Sequence, residues 1–336
     1  MKIENIDLDK EIMVIAEIGN NHEGSYALAE EMIGKASECG VHAVKFQTMI
    51  PEKFICSSDV KRVEQLKKFE LSYNEFEKLA QYAKKAGVIF LSTPFDLETV
   101  DFLDTIVPAF KISSSDNTFL PLLKKVASKN KPVMISSGLA EVNEIKQAIN
   151  IFNESWGIEK IKDRLAILHC VSNYPTIAAD ANLLSIKYIK EIFECSAGFS
   201  DHTLGIDASI FAASMGACII EKHFTINKNY SSFRDHQLSA DPSEMKMLVD
   251  KIKMLQDMLG SYSFQMQDSE KEIKPLIRRS IAAKRDLSNH YNITSEDIIW
   301  VRPGTGMQVG DEYLVIGKNT KKEIKAGELI QLTDIN

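Results

Sequence analysis

Two histidines in the second half of the chain have the type and spacing needed to bind a metal ion. His202 in SDHT and His223 in EKHF each end an apolar stretch that predicts a β-strand. Because neighbouring strand ends lie about 5 Å apart, two imidazoles there can bind one divalent cation. Mixed nitrogen and oxygen ligation suits Mn²⁺ or a similar ion, and Glu221, on the same strand face as His223, can bind or support the site. The alternative is a pair of hydrogen-bonded core histidines.

Two lysines, Lys45 in AVKFQT and Lys111 in FKISSSD, also lie on predicted strands. A lysine that points into a core is costly to bury unless it meets an anion. Lys45 shares a strand face with Gln47. Hydroxyl groups lie near the predicted strand ends at Ser92, Thr93, Ser113, Ser115, Ser136 and Ser137. This set suits a ligand with a phosphate and a carboxylate; internal ion pairs with Glu17 or Glu221, or a Schiff-base lysine, are the alternatives.

Polar loops after three predicted strands complete the candidate site. GNNHEGS (19–25) predicts a turn that presents His22 and Glu23, or one that only caps the next helix. HCVSNYPT follows the sixth strand and supplies an amide and a phenol suited to sugar hydroxyls. FRDHQLSADP follows the eighth and is long enough to cover the strand ends, with a solvated surface loop as the alternative. The residues singled out there are Asn173, Tyr174, Asp235 and His236.

The elements that must position these side chains alternate regularly. Apolar runs typical of buried parallel strands cover 13–18, 43–48, 88–93, 109–114, 132–137, 165–170, 196–202 and 217–224. Amphipathic helical patterns cover 26–40 and 74–87 and, roughly, 118–129, 140–152, 181–193, 206–216 and 242–259. The alternation predicts a (β/α)₈ TIM barrel, with a doubly wound sheet as the rival. Polar residues at nearly every strand end favour the barrel, whose active site uses all eight strands.

The chain divides by pattern into a barrel domain (1–264), a linker (265–277) and a small β-rich domain (278–336). The last segment contains the β-like stretches SIAAKRDL, IIWVRPG, YLVIGKN and LIQL. With about 60 residues it is too small for a large core of its own. We expect it to pack against something else.

Composition excludes several classes of protein. The 336 residues carry a net charge of −7 and no basic block, which argues against nucleic-acid binding. Five cysteines without CxxC spacing argue against a disulfide framework and a cysteine zinc site. No apolar run reaches the ~18 residues that span a bilayer, and the N-terminus lacks the features of a signal peptide. We therefore expect no membrane association and a cytoplasmic location.

The ordered motifs NNHEG, VKFQT, FLSTPF, FKISSSD, HCVSNYPT, GFSDHT, GACIIEKHFT and VRPGTG resemble the sialic acid synthase (N-acetylneuraminate synthase) family. That family includes legionaminic and pseudaminic acid synthases and spore-coat polysaccharide synthases. The resemblance spans nearly the whole chain. It implies a TIM barrel followed by an antifreeze-like (SAF) domain, and a domain-swapped homodimer in which the small domain of one chain caps the barrel of the other.

The resemblance also implies roles for single residues. His202 and His223 become ligands of a divalent metal, with Mn²⁺ favoured and Mg²⁺ or Co²⁺ as alternatives. The phosphoenolpyruvate contacts become Lys45, Thr93, Lys111, Ser113, Ser136, Asn173 and Ser200. The residues for the sugar or the acid–base chemistry become Glu23, Tyr174, Asp235 and, from the small domain, Arg302. We also expect Gln47 and Glu221 to contact the substrates.

Two segments depart from the family pattern. Ser114-Ser115-Asp116 stands where relatives have a Gly-Glu, so the catalytic role expected of Asp116 is less secure. FRDHQLSADP keeps the Asp-His pair of the last barrel loop but lacks the preceding Gly-Pro. Because that loop contacts the sugar in the family, the second departure bears on sugar identity more than on reaction type.

The expected reaction is condensation of phosphoenolpyruvate with an N-acyl mannosamine-type sugar, with cleavage of the C–O bond and release of phosphate. Metal activation of the sugar aldehyde belongs to this expectation. A Schiff-base aldolase that uses Lys45 or Lys111 and a carbohydrate-binding protein without catalysis are the alternatives. The ring of polar residues at the strand ends disfavours the second alternative.

Overall fold

Eight parallel strands form the central sheet of the first of two compact units, Met1–Gly260, in a computed structural model that describes residues 1–336. In chain order they are β1 Met13–Gly19, β2 Ala43–Thr48, β3 Ile89–Pro94, β4 Phe110–Ile112, β5 Val133–Ser136, β6 Leu165–Cys170, β7 Ser196–Asp201 and β8 Ile219–His223. The hydrogen-bonded order is β3-β2-β1-β8-β7-β6-β5-β4. Strands β3 and β4 lie side by side without a regular ladder, so the barrel is nearly closed. The predicted TIM barrel is confirmed.

A helix follows each strand. The eight are α1 Tyr26–Glu38, α2 Tyr73–Lys85, α3 Leu97–Leu103, α4 Leu120–Ser128, α5 Val142–Trp156, α6 Ser185–Phe193, α7 Asp207–Ser214 and α8 Pro242–Leu259. Side-chain caps fix several starts, as in the capping boxes of Ser72 with Glu75 and of Asp241 with Glu244. The sequence patterns did not identify α3 or the two short helices Pro51–Phe54 and Val60–Lys67 in the β2–α2 loop. No helix combines the length and the hydropathy that a membrane-spanning helix requires.

Side chains inside the barrel change from apolar to polar along each strand. The lower layers form one cluster with Met13, Ile15, Ile89, Leu91, Met134 and Leu168, and a hairpin of Lys2–Ile3 and Ile6–Asp7 adds Ile3 and Ile6 to it. At Gly198 a Cβ atom would lie 2.9 Å from the carbonyl oxygen of Ile219, so only glycine fits that inward position. A second, larger cluster packs the outer strand faces against the helices. The polar layer therefore lies at the carboxyl ends of the strands, where barrel enzymes place their active sites.

The second unit, Ser261–Asn336, has its own small core. Strands β9 (Ser280–Ala283) and β10 (Ile298–Val301) pair antiparallel over buried Ile281, Leu287 and Ile324. The β-like stretches YLVIGKN and LIQL are not continuous strands, because each joins the unit only through single bridges such as Asn292 with Asn319. Segment 261–279 is exposed throughout.

Candidate active site

A cavity of about 950 Å³ opens at the carboxyl ends of the barrel strands. Alternation along each strand places the polar residues there, because the i and i+2 positions share a face. Thirteen of the residues predicted from the sequence line it: Glu23, Lys45, Gln47, Thr93, Lys111, Ser113, Ser136, Tyr174, Ser200, His202, Glu221, His223 and Asp235. The candidate site is therefore one continuous chamber built from most of the barrel strands.

Lys45 and Lys111 point into this chamber and are each 3% exposed. Lys45 Nζ lies 2.7 Å from Glu17 Oε2 and 3.2 Å from Thr93 Oγ1. Lys111 Nζ donates to Ser136 Oγ at 2.7 Å and lies 3.5 Å from Glu221 Oε1.

The internal ion pairs considered as an alternative are therefore present in the chamber. They leave two ammonium groups among hydroxyls at one wall.

Burial and pairing shift the ionisation of these four groups. Burial raises the pKa of Glu17, against the charge of Lys45. Burial also disfavours the Glu221 carboxylate, but the charges of Lys111 and Lys45 outweigh it and lower the pKa of Glu221 to about 2. Desolvation lowers the pKa of Lys111, whereas the two carboxylates raise that of Lys45 despite its burial. These buried charges are stabilised mainly by their mutual pairing.

His202 and His223 face each other with ring centroids 5.5 Å apart. His202 Nδ1 lies 2.8 Å from the Val171 carbonyl oxygen, and the Tyr174 ring packs 4.1 Å from the His202 ring. His223 Nδ1 is buried without a hydrogen-bond partner. Burial, followed by the charge of His202, lowers the pKa of His223 well below its usual value, which favours the neutral form that binds metals.

These two rings fit a divalent cation that takes its other ligands from substrate and water. An orphaned buried ring nitrogen is the kind of group that a metal satisfies. No cluster of three or more His, Cys, Asp or Glu residues is arranged to hold a metal. A site of two histidines keeps open coordination positions, unlike a closed structural zinc site.

Glu23 enters the chamber from the turn after β1. Its backbone is left-handed, with φ of 47°, and its Oε1 accepts hydrogen bonds from Ser231 Oγ and from His236 Nε2, the latter at 3.1 Å. Ser25 caps α1 by accepting from the Leu28 N–H, as the turn motif predicts. Glu23 is thus held by the β8–α8 loop across the mouth of the barrel.

Other predicted residues lie elsewhere. His22 is fully buried against Phe46 rather than at the barrel mouth, so that interpretation was wrong. Asn173 is exposed and does not line the cavity. Asp116 does not line the chamber, and Ser113 Oγ donates to its Oδ2 at 2.7 Å. Arg302 is an exposed residue of the second unit.

The chamber includes residues that the sequence reasoning did not assign to substrate. Ser172, next to Asn173, lines the chamber with a buried hydroxyl that has no partner. Ser114 lines it beside Ser113. Arg234 places its guanidinium 5.0 Å from the centre of the Tyr174 ring. Glu17 also lines the chamber, although the sequence analysis considered it only as an ion-pair partner. The alternation of strand faces could have identified Glu17, but loop residues have no such periodicity.

The outer rim of the chamber is apolar where two loops meet. Phe69 from the β2–α2 loop contacts Phe233 from the β8–α8 loop with ring centroids 5.0 Å apart. Phe54 and Phe95 pack in the same way at 4.8 Å. A ligand would therefore meet charged and hydroxyl groups at the base and aromatic carbon near the entrance.

The fold and motifs are those of known proteins. Residues 32–263 match the NeuB family and residues 278–336 match the SAF domain. The chain is 38% identical to the N,N'-diacetyllegionaminic acid synthase of Legionella pneumophila (94% of this chain, 92% of the relative). It is 32% identical to the pseudaminic acid synthase of Campylobacter jejuni (99% of each chain).

A solved structure supports the same relationship. The N-acetylneuraminic acid synthetase of Leptospira borgpetersenii superposes with a TM-score of 0.76 at 33% identity, over 81% of this chain and 94% of that one. The resemblance seen in the motifs is thereby confirmed. The chain belongs to the NeuB family, the family of sialic acid synthase enzymes, and carries a SAF domain at its C-terminal end.

Proposed function

We propose that the protein condenses phosphoenolpyruvate with an N-acyl mannosamine-type sugar to give a sialic-acid-type nonulosonate and phosphate. The observation that carries this proposal is the pairing of two buried lysines with two facing histidines in one chamber. The names of the relatives, which include legionaminic and pseudaminic acid synthases, support the same reaction class. We also propose that the protein acts in the cytoplasm.

Phosphoenolpyruvate would bind at the part of the chamber formed by Lys45 and Lys111, which we call the lysine wall. Its phosphate and carboxylate are adjacent, and Lys45 with Lys111 offers two ammonium groups for them. Hydroxyl groups from several strands surround these lysines: Thr93, Ser113, Ser114, Ser136, Ser172 and Ser200. The ligand would compete with Glu17 and Glu221 for the lysines through charge-assisted hydrogen bonds. Fixed in this way, its C3 atom gains the entropic advantage of positioning next to a second substrate.

The sugar would bind between Gln47, Tyr174 and Asp235, with its open-chain aldehyde toward C3 of phosphoenolpyruvate. C3 attacks the aldehyde carbon, water adds at C2, and the resulting tetrahedral intermediate loses phosphate by cleavage of the C–O bond. Glu23 is better placed than Asp116 to move the protons, since it lines the chamber whereas Asp116 does not and accepts a hydrogen bond from Ser113.

A divalent metal, with Mn²⁺ favoured, would be held by His202 and His223. When bound, it would supply electrophilic polarisation of the sugar aldehyde. Replacement of either histidine by alanine should leave a folded protein that binds Mn²⁺ poorly, as measured by calorimetry after chelation. Unchanged Mn²⁺ binding by both variants would show that the two histidines are not the ligands of the metal.

Arg302 would complete the sugar site from a second copy of the chain. Its side chain is exposed within its own unit, and a guanidinium can hydrogen-bond sugar oxygens bidentately and help to exclude water. We therefore propose a domain-swapped homodimer in which the 278–336 domain crosses to the partner barrel by way of the 265–277 linker.

The direct test is phosphate release from phosphoenolpyruvate with a panel of mannosamine-type sugars. The panel contains singly N-acetylated, doubly N-acetylated and phosphorylated members, because relatives are named for each product type. Activity with at least one sugar, lost on chelation, is the expected result. Absence of phosphate release with every sugar in the presence of Mn²⁺ would overturn the proposal.

One observation favours a second candidate, a Schiff-base aldolase. Burial lowers the pKa of Lys111, and a lysine with a depressed pKa is suited to attack a carbonyl. Borohydride reduction in the presence of pyruvate would trap a covalent adduct on Lys111 and leave the Lys111→Met variant unlabelled. The condensation that we propose gives no such adduct.

A further inference from the structure

His236 is a fully buried histidine that contacts the chamber only through another side chain. Its Nε2 lies 3.1 Å from Glu23 Oε1, and its Nδ1 lies 2.7 Å from Thr225 Oγ1. The ring is 0% exposed and packs against Tyr230 and Phe233. His236 itself does not line the chamber. An imidazole with both nitrogens engaged in this way is fixed in orientation.

The two oxygens of the Glu23 carboxylate have different surroundings. Both hydrogen bonds that the side chain accepts, from Ser231 and His236, end on Oε1. No protein group donates to Oε2. The carboxylate is therefore anchored through one oxygen and presents the other for a ligand.

The backbone at Glu23 adds evidence that this orientation is imposed. Glu23 has φ of 47° and Gly24 has φ of 78°, a left-handed conformation that is unfavourable for a non-glycine residue. Such a conformation persists only where surrounding contacts hold it in place, and it is frequent at functional sites. Here the contacts come from a loop more than 200 residues away in the chain.

Thr225 can determine which nitrogen of His236 carries the proton. The Thr225 hydroxyl has one proton to donate, either to His236 Nδ1 at 2.7 Å or to the Asn227 carbonyl oxygen at 3.1 Å. When it donates to Nδ1, the neutral imidazole carries its proton on Nε2 and donates it to Glu23. The partner on one nitrogen thereby sets the function of the other.

We infer that His236 is a positioning residue of the active site, which acts by orienting the Glu23 carboxylate so that Oε2 faces the substrates. The inference rests on the proposed function, in which Glu23 moves protons or contacts the sugar. Ser231 is the second anchor of the same carboxylate. Loss of either donor frees the Glu23 side chain to rotate and lowers turnover, and it leaves the lysine wall unchanged.

The experiment is a double-mutant cycle between His236→Phe and Glu23→Gln, with kcat and KM measured for the sugar that gives phosphate release. We expect His236→Phe to lower kcat/KM about 10–100-fold, by analogy with the loss seen when a hydrogen-bond partner that orients a metal ligand is removed. On the Glu23→Gln background the same change should have little further effect. Calorimetry should give the same affinity for phosphoenolpyruvate in every variant.

Two further variants guard against loss of folding. His236→Gln keeps an N–H donor near the place of Nε2 and should recover most of the activity lost in His236→Phe. Ser231→Ala removes the other anchor without a cavity in the core, and its effect should also vanish on the Glu23→Gln background. His169→Gln is the control, since His169 is a buried histidine outside the chamber that contacts the Ala181 carbonyl oxygen.

The outcomes separate this inference from the proposed function. Additive effects of the His236 and Glu23 changes, or normal kcat/KM in both His236→Phe and Ser231→Ala, would overturn the inference while wild-type phosphate release stands. If the wild-type protein releases no phosphate with any sugar, the proposed function fails first, and the positioning role fails with it. An effect of His169→Gln as large as that of His236→Phe would also count against it, because buried histidines in general would then limit activity.

Discussion

At the scale of single residues, the charges of the lysine wall are neutralised by carboxylates from neighbouring strands. Glu17 and Glu221 lie within 4 Å of the two ammonium groups. An entering anion therefore exchanges one set of ion pairs for another, and its binding depends on the geometry of its hydrogen bonds more than on net charge. This exchange is what a charge-removing substitution can measure.

Lys45→Met and Lys111→Met keep most of the side-chain volume and remove the ammonium group. Each should weaken phosphoenolpyruvate binding by ~1.5–3 kcal/mol, since a charged hydrogen bond is lost. Titration calorimetry is the measurement, and Lys129→Met, at a surface ion pair with Asp101, is the control. Wild-type affinity in both variants would mean that the lysines are purely structural.

His22 gives a prediction about pH and stability. Burial lowers its pKa to about 4 from 6.5, so between those pH values the unfolded chain binds more protons at this site than the folded one. The stabilisation is complete above pH 6.5 and is lost as the pH falls toward 4, by about 3 kcal/mol in all. His22→Asn keeps an acceptor for the Gly24 N–H, which His22 Nδ1 binds at 3.1 Å.

The melting temperature of His22→Asn should therefore fall less steeply than that of the wild-type protein between pH 7 and 4.5. His290→Asn is the matched control, because His290 is exposed and its positive φ suits asparagine. Parallel pH profiles for wild type and His22→Asn would refute the assignment.

The residues on strands were predictable from the sequence, and those in loops only in part, because Glu23, Tyr174 and Asp235 line the chamber but Asn173 does not. Period-two alternation identified Lys45 with Gln47, and strand order brought His202 next to His223. After β6 the chain turns through a loop, so that Ser172 rather than Asn173 faces the chamber. His22 was misplaced because a turn motif does not tell which of its side chains is buried.

At the scale of elements, the turn after β1 and the β2–α2 loop position each other. A Cβ atom on Gly24 would lie 2.1 Å from the Lys68 carbonyl oxygen, a backbone atom that cannot move independently. The short helix Val60–Lys67 ends at this point. The end of this helix therefore lies against the turn that carries Glu23.

Gly24→Ala should lower both stability and turnover, because the clash displaces the turn that holds Glu23. Gly87→Ala is the matched control: Gly87 has φ of 79°, close to the 78° of Gly24, but no atom lies within 4 Å of the added Cβ. The left-handed strain of about 1–2 kcal/mol is common to both variants, so thermal melts should show a larger loss for Gly24→Ala. Equal losses, with normal kcat, would show that the turn tolerates the contact.

At the scale of the whole molecule, the segment between the two folded parts carries apolar side chains in solvent. Tyr262, Phe264, Leu276 and Ile277 are exposed, although such residues usually find a partner surface. The sequence predicted a linker at 265–277 from its weak periodicity, and periodicity within one chain carries no information about a second chain. Exposed apolar residues next to the 278–336 domain are consistent with the proposed association between two copies.

The proposed domain-swapped homodimer predicts recovery of activity from two inactive variants. A Lys111→Met chain lacks one of the two lysines that would bind phosphoenolpyruvate, and an Arg302→Ala chain lacks the arginine that would be donated. In a mixed dimer the Lys111→Met barrel receives the Arg302→Ala domain and has two defects. The other barrel keeps Lys111 and receives a normal Arg302, so one working site returns. Subunit exchange followed by a phosphate-release assay measures this recovery, and each variant alone is the control. If mass spectrometry shows mixed dimers but no activity returns, arginine donation between chains is wrong.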